Sequence, residues 1–133
     1  MRYIERLGFY YKFESTLPRD VYQFIVLMVA KRSNVGFVWA DHVEAARAAG
    51  LSENVIDSVA AGAGSFPAPY DIVAETIDAA FAYRSIPEPL QARVIERFGV
   101  PGLLEIVTLC GFYTLMAMVS MCFDVPLPTR ARG

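Results

Sequence analysis

Apolar positions along this chain recur at the spacing of helical faces, and glycines and prolines punctuate the runs. Pro18, after Ser15 and Thr16, predicts a helix over Arg19–Arg32 that closes on Lys31, Arg32 and Asn34. Val21, Ile25, Val26 and Val29 also suit a strand, but the length of the run and its lack of period-two alternation favour a buried helix. A second helix is expected from about Val35 to Ala49, stopping at Gly50. Ser52 then caps a short third helix, Glu53–Ala61, with Glu53 near its positive end. Gly62, Gly64, Pro67 and Pro69 make a loop, followed by a fourth helix over Asp71–Arg84 bearing Ile72, Ile77, Ala80 and Phe81. Pro87 and Pro89 open a fifth, Leu90–Phe98, which closes on Gly99. Pro101 starts a sixth, to about Phe123, and Pro126 and Pro128 stop it. No segment reads as a strand and no repeat is present. The expectation is a single all-α domain spanning residues 1–133, with about six helices.

The sixth helix complicates a soluble reading, because Ile106–Phe123 carries no charge and reaches the lower limit for a membrane span. Its flanks are Glu105 and Asp124, without nearby Lys or Arg anchors, and Thr108, Gly111, Tyr113, Thr114 and Ser120 dilute it. A central core or subunit-interface helix is the favoured expectation over a membrane span.

Composition narrows the partners. The chain is 55% hydrophobic, 20% charged and has a formal net charge of −2. No basic cluster interleaves with aromatics, so nucleic-acid binding has no electrostatic support. Cys110 and Cys122 on one helix lie ~18 Å apart along its axis, too far to bridge. Two buried, unpaired thiols, with no apolar signal run in Met1-Arg2-Tyr3-Ile4-Glu5-Arg6, predict a reducing cytoplasm.

The second helix carries the sole histidine. At roughly 100° per residue, Val35, Val38, Trp39, His42, Ala46 and Ala49 share its inward face, while Asp41, Glu44 and Arg47 point away. A buried imidazole needs partners, since an unsatisfied polar group costs ~1–3 kcal/mol. On pattern alone, a core histidine bonded to a carbonyl or a Tyr hydroxyl and a catalytic or ligand-binding histidine both stand. No nearby Asp, Glu or Cys cluster completes a metal shell, so no metal is expected. Gly62-Ala63-Gly64 is too short for a phosphate loop and follows a helix. There is no nucleophile elbow and no Cys-x-x-Cys.

The stretch Phe37-Val38-Trp39-Ala40-Asp41-His42-Val43-Glu44-Ala45-Ala46, with Ala49-Gly50-Leu51-Ser52 and Val55-Ile56, resembles the core of the carboxymuconolactone decarboxylase and alkylhydroperoxidase D superfamily. Leu17-Pro18 is similar to the entry into that core. Arg97-Phe98-Gly99, Gly102-Leu103-Leu104-Glu105-Ile106-Val107 and Gly111-Phe112-Tyr113-Thr114 resemble its final helix, and Phe123-Asp124-Val125-Pro126-Leu127-Pro128 its exit. Together these cover about Leu17 to Pro128. The resemblance implies a small helical subunit that forms a homotrimer or homohexamer, with the uncharged helix buried between subunits. Many members begin with a further helix. Only about sixteen residues precede Leu17 here, which implies a short form or a missing wall.

The departures constrain the chemistry. Aligned on His42, the two cysteine positions of peroxidase-type members are Val35 and Val38, and their glutamate is Gln23. Valine is neither nucleophile nor reductant, so thiol peroxidase chemistry is excluded. Members without cysteines often place Glu directly before the Trp, where this chain has Val38. A carboxylate that would orient the imidazole and raise its pKa is thus missing from both places. The resemblance then implies a cofactor-free enzyme acting on a small cyclic or carboxylated metabolite, with His42 as general acid/base. Gln23 would hold a substrate oxygen and Trp39 would form an apolar wall. Tyr113 and Glu105 are further substrate-binding candidates, against their readings as a packed aromatic and a carboxylate near a helix dipole. The competing expectation is a non-catalytic binding or assembly protein that kept the fold.

Overall fold

The computed structural model describes residues 2–33 and 36–123, and among them every regular element is helical. Six α-helices follow in order: α1 Arg2–Phe9, α2 Arg19–Ser33, α3 Gly36–Ala48, α4 Glu53–Ala60, α5 Tyr70–Phe81 and α6 Glu88–Cys122. A single π turn, Tyr10–Glu14, prolongs α1. The protein is all-α. Expectations that involve Asn34, Val35 and the segment from Asp124 through Pro126 to Pro128, together with the side chain of Val38, lie outside the described residues.

Helix α2 is the centre of the molecule and packs against α3, α4, α5 and α6. That position explains why it lacks a polar stripe: seven consecutive residues, Val21 to Leu27, are buried. A helix enclosed on all sides is apolar all round, so its valines and isoleucine encode burial and not a strand. Phe24, Ile25, Val26, Leu27, Val59, Val73, Ile77, Ile106 and Leu109 form the innermost core.

The punctuation behaves largely as its chemistry dictates. Gly50 closes α3 at φ 96°, with Gly50 N–H donating to the Arg47 carbonyl and Leu51 N–H to the Ala46 carbonyl. The Ser52 hydroxyl accepts from Val55 N–H at 3.3 Å and caps α4. The fourth predicted helix is shorter than expected, ending at Phe81 and not at Arg84. Tyr83 takes the left-handed conformation at φ 54°, and Tyr83 N–H and Arg84 N–H bond back to the Ala80 and Ala79 carbonyls. This is the closure glycine usually provides, made by a tyrosine.

Two elements differ from the sequence reading. The N-terminal residues, assigned no element there, form α1 and the π turn. This segment carries Tyr11 into the core and lays Gly8 against Phe112. The fifth and sixth predicted helices join as α6, which bends at Gly99 (φ 76°, ψ 171°). Only glycine enters that region without strain, and Pro101 restarts the helix two residues later. By length and composition α6 could cross a membrane, and 33% of its most apolar window is buried within the chain. Its outward residues include Val100, Leu104, Leu115, Met118 and Met121. Of the two thiols expected to be buried, Cys110 is buried but Cys122 is exposed, because it lies on this outward face at the helix end.

Candidate functional site

Gln23 is the polar member of the buried run on α2, 2% exposed. An amide there must be hydrogen-bonded or it destabilises the fold. Its Oε1 accepts from His42 Nδ1–H at 3.0 Å, joining α2 to α3 across nineteen residues of sequence. With the proton on Nδ1, the neutral ring carries its lone pair on Nε2, the nitrogen that can take or return a proton. A glutamine in this place sets the tautomer and orientation of the ring without adding a negative charge.

Tyr113, from α6, stands edge-on to the imidazole, with ring centroids 5.8 Å apart and an interplanar angle of 87°. Its hydroxyl lies 3.0 Å from that of Tyr22, which comes from α2 and is 3% exposed. The Tyr22 ring in turn carries the Arg19 guanidinium over its face at 4.1 Å. The result is a row running Gln23, His42, Tyr113, Tyr22, Arg19. Burial raises the Tyr113 phenol well above its ordinary value, the adjacent Tyr22 raises it further, and Arg19 opposes the shift. Tyr22 is also raised, first by burial. Both phenols are therefore neutral hydrogen-bonding groups at physiological pH and not bases.

Trp39, one turn before His42, is half-buried and packs against the core. Glu44 and Arg47 face outward as expected, where Arg47 pairs with Glu44 and with Glu53. Glu105 belongs to a different arrangement. It is buried, and its carboxylate accepts from Thr16 N–H at 2.9 Å and from the Thr16 hydroxyl. Nearby, the Tyr11 hydroxyl donates to Thr108 Oγ1 at 2.6 Å. Glu105 thus ties the segment entering α2 to α6 and is not a hydrogen-bond partner of His42. The bend at Gly99 places it beyond the first turn of the restarted helix, so it is not an N-terminal dipole carboxylate either.

The structure brings Gln23, His42 and Tyr113 together, with Trp39 on the same helix as the histidine. Tyr22 and Arg19 were missed by sequence reasoning. Their signal was the spacing itself, because Arg19, Tyr22 and Gln23 stand at i, i+3 and i+4 and share one face of α2. Cys110 is unsuited to thiolate chemistry, since burial pushes its thiol up to about 12. Among the described residues no group of three or more His, Cys, Asp or Glu side chains is placed to hold a metal ion. No protein-family model, curated protein or solved structure matches the chain.

Proposed function

We propose that this chain is a cofactor-free enzyme of the carboxymuconolactone decarboxylase type. It acts on a small cyclic or carboxylated metabolite, with His42 as general acid/base. The observation that carries this reading is the Gln23–His42 hydrogen bond. It holds the imidazole in one tautomer, the first requirement of a proton-transfer catalyst. In a decarboxylation the electrons of the breaking C–C bond pass into an adjacent carbonyl as CO₂ leaves. His42 Nε2, having taken the proton of the substrate's carboxylic acid before CO₂ departs, then gives that proton to the carbanion carbon. Isomerisation, lactone hydrolysis or cyclisation would use the same nitrogen. Trp39 supplies an apolar wall, and Tyr113 restrains the ring and offers a neutral hydroxyl.

The outward apolar residues of α6 support assembly into a homotrimer or homohexamer in the cytoplasm, where a second copy and not lipid would cover them. The same face favours the second reading, a non-catalytic assembly protein. The two are separated by assaying the chain and its His42→Ala variant against lactone acids and ring metabolites. The enzyme reading expects turnover that falls by about a hundred- to ten-thousand-fold in the variant. Unchanged turnover of an accepted substrate overturns the acid/base role. No turnover by the unaltered oligomer, with assembly intact by light scattering, favours the assembly reading.

A further inference from the structure

Arg19 is a half-buried cation held in a place that stability does not explain. It is the first residue of α2, at the positive end of the helix dipole, where a cation is disfavoured. Among the described residues it has no carboxylate partner, whereas the more exposed Arg32, Arg47 and Arg93 each form an ion pair. Two acids of the same region have other partners. Asp20 accepts from the Tyr70 hydroxyl at 2.7 Å, and Glu105 is bound by Thr16. What holds Arg19 is the face of Tyr22 and one hydrogen bond, from Nη1 to the Tyr11 carbonyl at 3.2 Å. A guanidinium has five N–H donors in a planar fork, so most of its capacity is left over.

Position gives that capacity a use. Arg19 and Gln23 are one turn apart on the same face of α2, about 6 Å along the axis. Tyr22, between them, is bonded to Tyr113, which abuts His42. We propose that Arg19 is a specificity residue that anchors a carboxylate of the ligand bound at His42, by a two-pronged charge-assisted contact. The inference rests on the His42 site described above and narrows its substrates to small organic acids. The acid group is held about one helical turn from the atom that meets the imidazole. The aromatic face below the guanidinium keeps it oriented and partly dehydrated, which strengthens its pairing with an anion.

Because His42 is the one histidine in the chain, its ring resonances can be followed without ambiguity, alongside the Arg19 Nε–H signal. The probes are benzoate, cyclohexanecarboxylate and a γ-lactone carboxylate, each paired with its neutral carboxamide. They are titrated to tens of millimolar into the chain and its Arg19→Gln and Arg19→Lys variants. At least one acid is expected to shift both signals and to bind about tenfold or more tightly than its amide. Arg19→Gln should bring that ratio close to unity while the amide affinity stays within about twofold, and Arg19→Lys should keep part of the preference. An unchanged ratio in Arg19→Gln overturns the proposal. So does equal binding of acid and amide to the unaltered chain, although His42 shifts in that case would leave the His42 site standing. Acids that shift Arg19 but not His42 overturn the link between the two and count against the His42 site. Silence of both signals to all three acids overturns the anchor and leaves His42 to its own turnover test. If Arg19→Gln does not fold, the acid-to-amide ratios of the unaltered chain and Arg19→Lys decide.

Discussion

Gln23 and Glu105 are both buried polar residues on otherwise apolar helices, yet they do different work because of what each meets. The Gln23 amide meets a ring that can exist in two tautomers and selects one. At a pH where the single histidine is neutral, nitrogen NMR should therefore show its proton predominantly on Nδ1, and Gln23→Leu should give a mixture of tautomers. A predominantly Nε2–H ring in the unaltered chain would refute the arrangement. Glu105 meets a backbone N–H and a hydroxyl from the segment that leads into α2. Truncating it removes the acceptor for both donors of the exposed Thr16, which turn to water, at a cost of about 0.5–1.5 kcal/mol. Urea unfolding of Glu105→Ala should show that loss, and a cycle with Thr16→Val should show the two losses to be coupled and not additive. An additive cycle would dissolve the proposed tie. These contrasting fates also mark how far the site could be read in advance. A helical wheel and the family motif both point to His42, whereas Gln23 is legible only through the motif's spacing from that histidine. Glu105, a substrate-binding candidate from sequence, meets Thr16 instead, because sequence does not say which side of a long helix a carboxylate faces. Arg19 and Tyr22 were passed over because their meaning comes from an aromatic contact with α6, a helix some ninety residues away.

At the scale of elements, local chemistry carried the boundaries well where a cap or a closing residue stood alone. Ser52 and Gly50 act as their side chains dictate. The N-terminal helix was readable too, in the spacing of Ile4, Gly8 and Tyr11 toward one side, but no cap announces it and its other residues face outward. The bend in α6 was half readable. Gly99 was seen as a stop, whereas its dihedral angles redirect the helix and allow it to continue from Pro101. Replacing Gly99 by alanine forces a side chain into that conformation and should destabilise the chain by about 1–3 kcal/mol, read from the urea midpoint. The opposite sign is expected at the end of α5. Tyr83 is 97% exposed, so it loses little packing on replacement, yet it occupies a left-handed position that costs a side chain about 1 kcal/mol. Tyr83→Gly should therefore raise the thermal midpoint by a few degrees. A lowered midpoint would mean that the Tyr83 ring contributes more than its exposure suggests.

Across the whole molecule, the tyrosine and cysteine groups with resolved shifts all move in one direction. Burial raises the phenols of Tyr11, Tyr22 and Tyr113, and the half-buried Tyr70 phenol, bonded to Asp20, is pushed from 10.0 to about 12. The Cys110 thiol is pushed from 9.0 to about 12. Each group therefore holds its proton more tightly in the folded chain than in the unfolded one. For such groups the stabilising contribution is fully present below the unfolded value and is lost as pH rises through the folded value. The loss should begin near pH 9, where an unfolded Cys110 would ionise, and steepen above pH 10 as the tyrosines follow, with the Cys110 and Tyr70 contributions gone only near pH 12. These groups also span the molecule: Tyr11 lies in the N-terminal turn, Tyr22 on α2, Tyr70 on α5, and Cys110 and Tyr113 on α6. Ionising any one of them within the fold weakens packing between helices, so unfolding and phenolate formation should be a single event. Circular dichroism and the near-ultraviolet absorbance of phenolate, followed together in an alkaline titration, are expected to change with one midpoint. If Tyr11, Tyr22, Tyr70 and Tyr113 ionise progressively from pH 10 while the helical signal persists, then their hydroxyls are reached by water, and the Tyr113–Tyr22 contact is not the enclosed part of the His42 row.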